Sequence, residues 1–123
     1  MSAWFILAAL NGAIAVAAGV LEAHGLRGRL DAEALEIFGI GARYQMYHAL
    51  ALGLAALAMK GEAAPRARIA AWLFVVGLLL FCGSLYFLAL TGVRAAGYVT
   101  PFGGIAFLGG WLALIWAGLK LRS

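Results

Sequence analysis

Glu22 and His24 stand two residues apart in "GVLEAHGL", and Arg43, Tyr44, Gln45 and His48 crowd the short stretch "ARYQMYHAL". Ser84 and Tyr86 add a hydroxyl and a phenol in "FCGSLYF". These types can do chemistry. An imidazole beside a carboxylate can pass a proton or hold a metal ion, an arginine supplies a fixed charge, and a serine next to a base can be a nucleophile. Tyr44 and His48 are four apart, which puts them on one face of any helix.

Each chemistry meets an obstacle in the sequence. His24 and His48 could ligate haem from two helices, and Glu22 could join a zinc site. Yet His24 precedes Gly25 just past a helix end, and no thiolate motif accompanies it. Ser84 lacks the glycine placement and strand-to-helix context of a nucleophile elbow. Gly103-Gly104 lead to no phosphate-loop lysine. The reading is therefore no catalytic set, no metal and no cofactor.

The elements that must position these groups are set by composition. Sixty-six per cent of the residues are apolar and 11% charged, against roughly 45–50% and about 25% in soluble domains. So small a chain has too little interior to hide that much apolar surface from water. A bilayer resolves the conflict. The net charge of +4 is spread singly or in pairs between apolar runs, a pattern that suits lipid headgroups and not nucleic acid. Cys82 is the single cysteine, so it forms no internal disulfide.

Crossing hydrocarbon as a helix takes about 20 mostly apolar residues. Four such spans are expected in one domain covering residues 1–123, at about 3–22, 43–59, 69–90 and 99–119. Ala15-Val16-Ala17 resembles a signal cleavage site, but no Lys or Arg precedes Arg27, so the first span reads as retained. The connections around Pro65 and Arg94 are short, implying an up-down-up-down four-helix bundle. The longer one, "LRGRLDAEALEIFGIGARY", predicts a short amphipathic helix along the membrane surface. Asp31 would cap it, and Gly39 and Gly41 would turn the chain into span two. Lys60, Arg66, Arg68, Lys120 and Arg122 flank one side, against Arg27, Arg29, Arg43 and Arg94 on the other. The excess places both termini in the cytoplasm.

Small residues let helices approach closely in lipid. Ala8, Gly12, Ala15 and Gly19 form one such stripe, and Gly103 with Gly110 another, beside Gly104, Gly109 and Gly118. In an antiparallel bundle, Glu22, His24, Arg43, Tyr44, Gln45 and His48 reach the same leaflet as Ser84 and Tyr86. Asn11 stands apart near mid-span. Ionisable residues inside a membrane face partners. Glu22 is expected to pair with Arg43, and His48 to bond a Tyr or Ser neighbour. The cluster is either interhelical glue or a site for a ligand or proton.

Four motifs then carry a resemblance. "GVLEAHGL", "YQMYHALAL", "FCGSLYFLALTG" and "TPFGGIAFLGGW" occur in order along the chain. Together they resemble a family of small membrane proteins of unknown function typified by bacterial YgdD, with relatives in mitochondria. The resemblance implies a multi-pass protein of the bacterial inner membrane and no established activity. It also implies that Glu22, where the family carries a small residue, is a local elaboration, and that Cys82 replaces a serine. The function expected is a non-enzymatic accessory or assembly component of a membrane complex. The alternative is a binder or conduit for a lipid, quinone, proton or small solute. Its partners would be membrane lipids and a homo-oligomer or larger complex.

Overall fold

The computed structural model describes residues 2–121, so Arg122, counted above among the basic flanks, lies outside the described residues. Among them the chain forms four helical rods and no strand. The first is α1, Ser2–Val20, which widens into a π-helical last turn, Leu21–Gly25. The second is α2, Ala32–Leu57. The third comprises α3, Ala64–Gly77, a π-helical turn, Leu78–Cys82, and α4, Gly83–Thr91. The fourth, α5, runs over Thr100–Gly118.

Local chemistry sets the ends. Asp31 accepts a hydrogen bond from Ala34 N at 2.8 Å, capping α2 as expected. Pro65 and Pro101 sit in the first turns of α3 and α5, where a missing N–H does no harm. Gly92, at φ 74°, ends α4 in the left-handed region and returns its N–H to Leu88 O.

The amphipathic helix expected along the membrane surface is not a separate element. Residues 32–57 form one uninterrupted helix, and neither Gly39 nor Gly41 has a positive φ. Their role is close approach. A Cβ on Gly39 would run into the Glu22 carboxylate, and one on Gly41 would stand 2.9 Å from the Tyr86 ring. The two glycines therefore let α1 and α4 lie against α2; they do not turn the chain.

Three of the four rods are long and apolar enough to cross a membrane: Ser2–Gly25, Gly61–Thr91 and Arg94–Gly118. α2 has the length, about 39 Å for its 26 residues, but Glu33, Glu36 and Arg43 make its first half polar.

α2 packs along α1 and against the third rod, which in turn packs along α5. The core is built on glycine–aromatic contacts. Phe107 of α5 fills the space over Gly77, Phe74 of α3 fills that over Gly110, and Gly103 lies against the Phe81 backbone. The expected pairing of Gly103 and Gly110 on one packing face is thus observed. A methyl group added at Gly12, Gly19 or Gly118 would meet nothing within 4 Å. At one end Lys120 pairs with Glu62 at 3.9 Å, and Arg66 donates to Trp116 O at 2.9 Å. At the other, residues 29–37 and 88–94 border a common cleft.

Candidate functional site

The polar groups inside the rods form three short hydrogen-bonded sets. The first joins α4, α2 and α1. Tyr86 O–H donates to Gln45 Oε1 at 2.7 Å, Gln45 Nε2 donates to Asn11 Oδ1 at 3.1 Å, and Asn11 Nδ2 donates to Leu7 O at 3.0 Å. Its direction follows from its last acceptor. A carbonyl can only accept, so Asn11 must turn its amide nitrogen to Leu7, and the orientations of Gln45 and Tyr86 follow in sequence.

The second set joins α5 to α2. Trp111 Nε1 lies 3.1 Å from His48 Nε2, and His48 Nδ1 lies 2.8 Å from Tyr44 O. Indole N–H is solely a donor and a carbonyl solely an acceptor. The imidazole that satisfies both is neutral, with its proton on Nδ1. His48 is 5% exposed, and its ring stacks on Phe107 with centroids 3.6 Å apart and planes within 9°. Tyr44 stacks over it more loosely, at 6.0 Å.

The third set is smaller. Ser84 and Thr100 share a hydrogen bond of 2.5 Å between α4 and α5, and Ser84 Oγ also donates to Phe81 O at 3.0 Å. Thr100 is thereby tied to the rod that its own helix packs against.

These sets bring together Tyr44, Gln45, His48, Ser84 and Tyr86 with partners on neighbouring rods. Glu22, His24 and Arg43 are left out. The expected Glu22–Arg43 pair is not formed: among the described residues the single ion pair is Lys120–Glu62. Arg43 is exposed, and the half-buried Glu22 carboxylate lies over Gly39. The π-helical turn carries Glu22 across to that glycine. His24 is exposed in the same turn. Nor does His48 bond a Tyr or Ser side chain; its partners are an indole and a backbone carbonyl.

Asn11 and Trp111 join the cluster without being expected there. Asn11 is the lone amide in an otherwise apolar first span, which is a signal in itself, since an amide in hydrocarbon needs a partner. Trp111 reads in the sequence as an interface or interior aromatic, and nothing in its context points to His48, which is 63 residues away.

As for ligation, no three of His, Cys, Asp and Glu come together in a metal-sized group among the described residues. Both His48 nitrogens are committed within the protein. Ser84 has Thr100 and a carbonyl as partners, with no base in the set.

The profile described as "Protein of unknown function (DUF423)" matches residues 17–104, more than half of the chain. The chain belongs to the DUF423 family. It is 45% identical to a UPF0382 membrane protein of Staphylococcus epidermidis over 123 residues, covering 100% of both chains. It is 40% identical to the UPF0382 membrane protein YwdK of Bacillus subtilis over 121 residues, 98% of each chain. A UPF0382 membrane protein of Haemophilus influenzae is 40% identical over 121 residues, 98% of this chain and 96% of its own. No solved structure matches. The DUF423 chain is thus a small helical membrane protein of a family with no assigned function. The residues that bond Asn11 to Gln45 and Gln45 to Tyr86 include positions inside and before the matched segment, while Trp111 lies beyond it.

Proposed function

We propose that this DUF423 chain crosses the bacterial cytoplasmic membrane four times, up-down-up-down, and serves as a non-enzymatic accessory or assembly component of a membrane complex. Three rods have the apolar length for a crossing. α2 supplies the fourth if its acidic first turns lie at the headgroups and its polar middle faces partners. A helical protein belongs to the inner membrane, because outer-membrane spans are β-barrels. The basic residues near the termini and around Pro65 favour a cytoplasmic location for both ends. The resemblance of the four motifs to the proteins typified by YgdD supports this reading.

One observation carries the functional part. The buried polar side chains Gln45, His48 and Ser84 bond neighbouring side chains in sets that end on backbone carbonyls, and among the described residues no buried side-chain nitrogen or oxygen lacks a partner. Such a set holds helices together and offers no free atom to a substrate. The outer faces, with Ile6, Leu10, Leu112 and Ile115 more than half exposed, meet lipid or the helices of a partner or second copy. Extraction in a mild detergent followed by native mass spectrometry tests the reading. Stoichiometric co-purification with a membrane partner or with further copies is expected; a chain that is always a lone monomer would contradict it.

A second reading has one observation in its favour. Tyr44 stacks on His48 and is itself 38% exposed, so it links the buried cluster to the bundle surface. A lipid, quinone or proton could engage the cluster there. Tyr44→Phe or His48→Phe leaving binding and flux unchanged would remove this alternative.

A further inference from the structure

The cleft at the end opposite Lys120 and Glu62 holds three charges, Arg29, Glu33 and Arg94, that form no ion pair among the described residues. It has a volume of about 460 Å³ and lies between the α1–α2 connection with the first turns of α2 and the end of α4 with its following turn. Arg29 lines it from one connection and Arg94 from the other, and neither forms an ion pair among the described residues. Asp31 and Glu33, at the start of α2, line it as well. Ile37 and Leu88, both half-buried, give it apolar wall.

We infer that this cleft seats the headgroup of an amine-bearing zwitterionic phospholipid, with its phosphate between Arg29 and Arg94 and its ammonium against Glu33 and Asp31. Two guanidinium groups delivered by separate connections match the oxygens of a phosphodiester. The two carboxylates balance their charge, so a purely anionic headgroup would meet repulsion where an ammonium meets attraction. A primary ammonium also donates hydrogen bonds to a carboxylate, which a trimethylated one cannot. Asp31 already accepts from Ala34 N, so Glu33 is the freer acceptor. Ile37 and Leu88 receive the first carbons of the acyl chains, which favours a lipid over a soluble phosphodiester.

The inference rests on the four-crossing reading, which brings this end to the headgroup layer. Thiol labelling of Ala95→Cys, in a Cys82→Ser background, reports that placement independently of lipid binding. The test is native mass spectrometry of the detergent-solubilised full chain with equal amounts of phosphatidylethanolamine, phosphatidylcholine and phosphatidylglycerol. Phosphatidylethanolamine should be retained about tenfold better than either, the scale of one charge-assisted hydrogen bond. Arg29→Gln with Arg94→Gln should cut phosphatidylethanolamine retention about tenfold, since the phosphate loses its clamp, and Glu33→Gln should bring phosphatidylethanolamine and phosphatidylcholine level. The three residues are exposed, and an unchanged melting temperature verifies that the variants fold. Equal retention of phosphatidylglycerol by the unmodified chain would overturn the proposal. So would undiminished phosphatidylethanolamine retention in the double variant, or soluble glycerophosphoethanolamine competing as well as the lipid.

Discussion

Trp111 Nε1 lies 3.1 Å from His48 Nε2, and that bond makes the imidazole an acceptor on one side and a donor to Tyr44 O on the other. Trp111→Phe strands the acceptor. The expected loss is about 1 kcal/mol, the scale of hydrogen bonds between membrane helices. His48→Phe keeps an aromatic ring over Phe107 but strands the indole. The double variant should lose less than the two single losses added together. Reversible unfolding in mixed micelles measures the cycle, and strict additivity would mean that the bond contributes nothing.

Three of the four rods are legible in the sequence because crossing hydrocarbon as a helix takes about 20 mostly apolar residues. The helices around residues 2–25, 61–91 and 94–118 follow from that requirement directly. α2 is less legible. Glycines at 39 and 41 usually signal a turn when only the sequence is visible, and their contacts with Glu22 and Tyr86 depend on which rods adjoin. The polar cluster divides in the same way. Tyr44, Gln45 and His48 announce themselves by being polar in an apolar run. Their partners do not, because Asn11 and Trp111 are 34 and 63 residues away. The Glu22–Arg43 pair fails for a local reason: the π-helical turn aims Glu22 at Gly39, while Arg43 faces outward.

Gln45 is the middle link between Tyr86 and Asn11, so its removal leaves two groups unpaired. Gln45→Leu should destabilise by about 1–3 kcal/mol, more than Tyr86→Phe, which leaves only the Gln45 oxygen without its donor. Thermal unfolding in detergent ranks the two. The reverse order would contradict the directed chain.

Glycine substitutions should separate sharply by what they meet. A Cβ on Gly103 would collide with the Phe81 backbone, which cannot swing aside. Gly103→Ala should cost about 1–3 kcal/mol or more through overpacking. Gly39→Ala meets only the movable end of Glu22, so its effect should be smaller. Gly118→Ala meets nothing within 4 Å, and should be neutral or gain up to about 1 kcal/mol in helix propensity. Melting temperatures of the three variants check the ranking.

Cys82 is 2% exposed and packed in the main core. Maleimide should leave it unmodified in the folded protein and react promptly after denaturation. Quick labelling of the folded chain would show that the third rod is not packed as described around its π-helical turn.

In the four-crossing arrangement proposed above, the span ends that carry His24, Arg43 and Tyr98 share one headgroup layer, while Gln45 and His48 find their partners Asn11 and Trp111 deeper in the rods. The variants His24→Cys, Tyr98→Cys and Lys60→Cys, each in a Cys82→Ser background and probed in intact cells with a membrane-impermeant maleimide, test this most directly. Positions 24 and 98 should label from the same side and position 60 from the other. Labelling of 24 and 98 from opposite sides would contradict that arrangement.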